Sequence, residues 1–187
     1  MKSIKLVVFR VIVVLVVSSI FITGCGVYSF TGISIDYTQI QTISISNFPD
    51  ESASDPQSVG GPSNMSQIFS EKLRDYFQQN TQLQLVPSNG DLHLEGEIKS
   101  YKNNPQAITS ADRAGQGDEA GLMRLTISVR VNYQNTVDET VNFDKEFSFF
   151  GDYDPRQTTL PAEEPRLIDL IFEQIVFDIF NQSVATW

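Results

Sequence analysis

Hydrophobic and polar residues alternate with two different periods along this chain, and the changes of period mark out its elements. Over residues 41–48, Ile43 and Ile45 fall on one side and Thr42, Ser44 and Ser46 on the other, the two-residue period of a strand. Residues 91–101 repeat the pattern, with Leu92, Leu94, Gly96 and Ile98 inward and His93, Glu95, Glu97, Lys99 and Tyr101 outward. Residues 122–132 follow, with Leu125, Ile127, Val129 and Val131 inward. After a turn at 135–139 the chain returns as a strand over 141–150, making a hairpin in which Val141, Phe143, Phe147 and Phe149 share a face. Lys145 interrupts that face and is expected to mark a bulge or an exposed position. A short strand is also predicted at 83–86, closed by Pro87-Ser88-Asn89-Gly90.

Two stretches follow the helical period instead. Over 64–79, Met65, Ile68, Phe69, Leu73, Tyr76 and Phe77 recur at steps of three and four, opposite Gln67, Glu71, Arg74, Asp75 and Gln78. Asn64 with Gln67 three residues on fits a capping box. A second helix is predicted over 163–186, with Glu163, Glu164 and Pro165 in its first turn, where acids meet the positive end of the dipole. Its apolar residues Ile168, Ile171, Phe172, Ile175, Phe177, Ile179, Phe180 and Val184 span more than half the circumference. Such an arc is either deeply buried or touches a partner as well as its own sheet.

Three segments lack periodicity. Residues 49–62, rich in Ser, Asp, Gly and Pro, read as a long mobile loop, 103–121 as a nineteen-residue loop, and 151–161 as an irregular link. The resulting order is β-α-β-β-β-α, with an extra short strand after the first helix as an option. It predicts an α+β, two-layer sandwich with a small mixed sheet of about four strands and both helices on one face. The first crossover places the first strand parallel to the one that follows the helix, and the later three form an antiparallel meander.

The opening stretch obeys neither period. Lys2, Lys5 and Arg10 precede a run of about a dozen apolar residues, Val11 onward, the arrangement of a secretory signal. The run falls short of the roughly 20 apolar residues that a membrane span requires. Its exit, Ile22-Thr23-Gly24-Cys25, resembles the bacterial lipobox. That resemblance implies a diacylated Cys25 thiol, cleavage before Cys25 and acylation of the new amine. Cys25 is the sole cysteine of the chain, so no internal disulfide forms, and a lone Cys in an exported chain asks for a role. Two or more acyl chains anchor a protein stably, at about 0.8 kcal/mol per buried CH₂. Gly26 stands where the inner-membrane retention signal has Asp, which by the same resemblance favours the outer membrane. The chain thus divides into a lipoprotein signal peptide at 1–24, a lipidated N-terminus and tether at 25–40, and one α+β domain at 41–187.

Charge narrows the list of partners. The signal holds three of the thirteen basic residues and none of the twenty-three acids, so the remainder carries ten cations and a net charge of −13. That surface argues against nucleic acid, which needs a basic footprint. The chemistry-bearing residues are equally sparse. His93 is the only histidine and sits in an outward row; with Cys25 lipidated, no Cys–His pair and no His-rich metal site can be assembled. Glu95 and Glu97 are paired carboxylates on a solvated strand face. Asp152 and Asp154 are a weak Ca²⁺ pair without EF-hand spacing, and Gly115-Gln116-Gly117 lacks the strand–turn–helix context of a phosphate cradle. The expectation is a non-enzymatic protein without metal or cofactor beyond its covalent lipid.

The distributed pattern resembles the LptE family of lipopolysaccharide (LPS)-assembly lipoproteins. It is carried by Gly24-Cys25-Gly26-Val27-Tyr28-Ser29-Phe30, by residues 66–77, and by Gly90-Asp91-Leu92-His93-Leu94-Glu95-Gly96-Glu97-Ile98. Arg124-Leu125-Thr126-Ile127-Ser128-Val129, Phe147-Ser148-Phe149-Phe150 and Asp178-Ile179-Phe180-Asn181 complete it. The resemblance implies an outer-membrane lipoprotein facing the periplasm that plugs and helps assemble an LptD-like β-barrel and assists LPS transport. Lys99, Lys102, Arg113, Arg124 and Arg130 are the candidate LPS-binding cations, since Lys and Arg are the residues for phosphate pairing. An envelope adaptor regulating a cell-wall complex, or a carrier of lipid or a small ligand, would share the anchor and the domain.

Overall fold

In the computed structural model the sheet is assembled around its shortest interior member. β1 (Thr42–Ile45) pairs in parallel with β2 (Gln84–Val86) on one side and β3 (Leu92–Pro105) on the other. β3, β4 (Met123–Asn135) and β5 (Phe143–Tyr153) then run antiparallel, giving the order β2-β1-β3-β4-β5. The structure describes residues 35–106 and 121–184. The expected signal peptide, Cys25, most of the tether and most of the 103–121 loop, Arg113 included, lie outside them. The α+β two-layer architecture is as expected, with the optional short strand realised as β2, making five strands.

Helix α1 (Met65–Asn80) turns Met65, Phe69, Leu73 and Phe77 into the core at helical spacing. α2 (Leu160–Val184) packs beside it on the same face of the sheet. Edge-to-face rings join the two helices to each other, Phe69 to Phe172 at 5.0 Å and Phe77 to Phe180 at 5.1 Å, and Phe48, just after β1, to Phe69 at 5.1 Å. These geometries suit the ring quadrupole and fill the interior with rigid side chains. Gly96 belongs to this face, because a Cβ there would collide with the Arg130 carbonyl of β4 and with the Phe48 ring.

Several local expectations are corrected. Asn64 does precede α1, but its side chain makes no cap bond and Gln67 donates to Glu71 at 2.9 Å; the helix starts instead on the Met65 N–H bonded to the Pro62 carbonyl. α2 begins at Leu160, three residues early, which places Pro165 one turn inside, where it forgoes one intrahelical bond. Residues 49–62 are tied along β3 rather than free. Asp50 bridges Ile98, the Val59 N–H reaches the Tyr101 carbonyl, and Ser58 Oγ bonds both backbone groups of Tyr101. The segment does this because β1 stops at Ile45 and leaves the second half of β3 without a strand partner on that side. The tether's last residues form an Asp36-centred turn, and Tyr37 packs against the core.

Of the two readings of Lys145, exposure holds and the bulge does not. β5 pairs with β4 without a break from Phe143 to Tyr153, and the register shift falls in β3 between Ile98 and Ser100, with Lys99 the extra residue. One inserted residue reverses every later side chain. Tyr101, expected outward, is therefore fully buried, and its hydroxyl donates to Glu164 of α2 at 2.5 Å. Burial and that carboxylate together raise its pKa. Residues 103–105, expected in a loop, continue β3, and 151–153, expected in the link, continue β5.

Candidate functional site

Opposite the helices, the sheet presents an open face built from the alternate residues of β3, β4 and β5. Pairing sets its rows: Asn104 beside Arg124 beside Asp152, Lys102 beside Thr126 beside Phe150, and Glu97 beside Arg130 beside Glu146. Four candidate cations stand here, and each is matched by a carboxylate. Lys99 lies 3.3 Å from Glu97 and Lys102 2.9 Å from Asp55. Arg124 is bidentate to Asp152 at 2.7 and 2.8 Å, and Arg130 to Asp144 at 2.8 and 2.7 Å. The two Asp carboxyls are held below the usual carboxylate range by those guanidinium groups, whose own pKa values rise in return. Arg124 also lies flat against the Phe150 ring, 3.6 Å from its centroid.

The fold does not gather these cations into one cluster. Arg124 and Arg130 are six residues apart on one strand, roughly 20 Å at the strand rise. Lys99 lies between Glu97, which also faces Arg130, and Asp55, which bonds Lys102, so the two lysines share the stretch between the arginines. Arg113 lies outside the described residues.

The carboxylates and His93 serve the framework. Ser44 Oγ lies 2.8 Å from His93 Nδ1, and His93 Nε2 3.4 Å from Glu95, which has the outline of a Ser–His–acid relay. Ser44 is fully buried, however, and its Oγ also accepts the Gly90 N–H at 3.2 Å. The arrangement ties β1 to the start of β3 instead of exposing a nucleophile. Asp152 and Asp154, weighed as a weak Ca²⁺ pair, are each bonded to an arginine, Arg124 and Arg156. Among the described residues no group of three or more His, Cys, Asp or Glu is placed to hold a metal ion. Likewise none of the described helices is long and apolar enough to cross a membrane.

A groove of about 670 Å³ runs between the outer edge of β5 and the exposed ridge of α2. Phe149 and Phe150 stack along one wall, and Leu170 and Phe177 stand on the other. Leu170 is 41% exposed, Phe177 45% and Phe150 42%. This resolves the broad apolar arc of α2: Ile168, Ile171, Phe172, Ile175, Ile179, Phe180 and Val184 are buried on the protein's own core, and Phe177 is left over. Leu170 was missed from the sequence. Its signal was the seven-residue step to Phe177, which puts both on one line of the helix beside the main stripe.

Comparison with known proteins places this geometry in context. The model of the LptE family, described as lipopolysaccharide-assembly, matches residues 40–183. No curated protein matches the sequence significantly. Among solved structures, one protein of Xanthomonas campestris superposes with a TM-score of 0.54 at 12% identity, covering 78% of this chain and 85% of that one. A protein of Chlamydia trachomatis gives 0.50 at 11%, covering 79% and 99%. Rare lipoprotein B of Shewanella oneidensis gives 0.45 at 13%, covering 76% and 90%. At such identities the likeness of the first two is one of fold alone.

Proposed function

We propose, since this chain belongs to the LptE family of lipopolysaccharide-assembly proteins, that it is a lipoprotein plug of the outer-membrane LPS translocon. In this reading Cys25 carries the lipid anchor on the outer membrane, and the domain at 41–187 sits in the lumen of an LptD-type β-barrel, helps it assemble and assists LPS passage. The role is structural and not enzymatic. The observation that carries it is the family match across 40–183, which takes in every strand and nearly all of both helices.

The open face supplies the ligand part of the proposal. Lys99, Lys102, Arg124 and Arg130 are cations whose carboxylate partners are solvent-accessible. Solvent-accessible lysine–carboxylate pairs contribute little, about 0–1 kcal/mol, so a phosphate on LPS can displace Glu97 or Asp55 at small cost, whereas the bidentate Arg124–Asp152 and Arg130–Asp144 pairs hold more tightly. Arginine's planar fork then pairs with the phosphate as it does with Asp. Arg113 is proposed to join them.

The test is affinity purification of the tagged, lipidated protein from outer membranes, with mass spectrometry of what accompanies it. A stoichiometric barrel of the LPS-translocon type is expected. Periplasmic or cell-wall proteins in its place would replace the plug with the adaptor reading. LPS contact is tested on the same preparation with Lys99, Arg124 and Arg130 changed together to Gln. The expected outcome is an intact complex that retains less LPS.

A further inference from the structure

The two edges of the sheet are treated differently. β2 is three residues long and is followed by Pro87, so it offers almost no backbone to a further strand. β5 is eleven residues long and, among the described residues, pairs on one side only. Its first half carries exposed Asp144, Lys145 and Glu146, the charges that keep foreign strands off an edge. Residues 147–151 carry no charge, and among the described residues nothing hydrogen-bonds to their outer side. This unguarded half is also the half that borders the groove lined by Leu170 and Phe177.

From this combination we infer that residues 147–151 of β5 are a docking edge for an extended, cation-bearing segment of a partner protein. An extended chain supplies backbone N–H and C=O groups to the edge and places alternate side chains in the groove. The cation follows from the charges around it. Asp152 is matched by Arg124 and Arg166 by Glu163, whereas Glu173 has no cation partner among the described residues. A second copy of this chain fits poorly, because its matching edge brings Asp144 and Glu146 and a net charge of −13 for residues 25–187. An acyl chain fits poorly too, since it leaves the edge's backbone groups without partners. The described end of the tether leads into β1, three strands and roughly 14 Å from β5. The inference rests on the translocon-plug reading, under which the segment belongs to the barrel protein.

The experiment uses the full lipidated chain in native outer membranes, with the photo-crosslinker benzoylphenylalanine at Ser148 or Phe177, both exposed, and at Glu95, exposed on the open face two strands away, for comparison. Crosslinks from 148 and 177 are expected to map to one contiguous barrel peptide with alternating apolar residues and a Lys or Arg, different from any reached from 95. Glu173→Lys is expected to lower that crosslink about tenfold or more by opposing like charges. Phe177→Gln, at a position too exposed to unfold the domain, is expected to lower the Ser148 crosslink as well. If the barrel co-purifies but both positions reach only lipid, a second copy or scattered peptides, the docking edge is overturned and the plug reading stands. If no barrel co-purifies, the plug reading itself falls and the docking edge falls with it.

Discussion

Along β4, Leu125, Ile127, Val129 and Val131 face the helices with no exposed surface, while Arg124 and Arg130 face solvent and reach carboxylates on β5. The same strand thus builds two surfaces with different physics. On the covered face, position is fixed by volume: rings about 5 Å apart interlock and Gly96 leaves room for nothing more. On the open face, position is fixed by charge pairing at the solvent boundary, where a single lysine–carboxylate contact is weak and the bidentate arginine pairs are firmer. The covered face is therefore held by packing and the open face by paired charge.

The strongest way to break this contrast is Phe172→Ala. Its ring is fully buried against Phe69, so truncation should cost about 3–5 kcal/mol in denaturant unfolding. Gly96→Ala should cost about 1–3 kcal/mol by overpacking β3 against β4 and Phe48. Tyr101→Phe removes the donor to Glu164 and should cost about 1.5 kcal/mol, near the low end for a bond to a charged group because Glu164 is half-buried and water replaces the hydroxyl. Arg124→Gln with Arg130→Gln should move the melting temperature at neutral pH less than any of these; a shift as large as that of Tyr101→Phe would show that the open face also holds the fold.

Acid sharpens the contrast. The Asp91 carboxyl is lowered by the Gln41 N–H and by the Thr42 hydroxyl and N–H, Asp144 by Arg130, and Asp152 by Arg124, all from a usual 3.8. Because these groups release protons more readily in the folded chain, the unfolded chain takes up more protons as pH falls. Their contribution is complete above about pH 5 and declines as pH falls below about 4 toward the folded values. Thermal melts from pH 6 to 3 should fall at the acid end, and the Asp91, Asp144 and Asp152→Asn triple variant should give a flatter profile.

Much of this arrangement was legible residue by residue. The two-residue period placed Leu92, Leu94, Ile98 and the inward row of β4, and the helical period placed the buried side of both helices. What escaped came from contacts distant in sequence. Nothing near Lys99 announces a bulge, so Tyr101 was set on the wrong face. Residues 49–62 have turn composition but are held by β3, which borrows them because β1 is short. The candidate cations were identified as residues, yet their spread along one face and their carboxylate partners depend on register between strands. Arg124 and Asp152 lie twenty-eight positions apart and meet only because β4 and β5 pair as they do.

Sequence by itself determined the element types, the α+β class and the lipobox-like Cys25 motif, because periodicity and short motifs are local properties of a chain. Tertiary structure alone decided which strand carries the bulge, that the apolar arc of α2 is mostly spent on its own core, and that Leu170, Phe177 and the bare half of β5 share one groove. Those outcomes depend on how elements far apart in sequence compete for the same surface, and the residual exposure of a side chain is known only once that competition is finished.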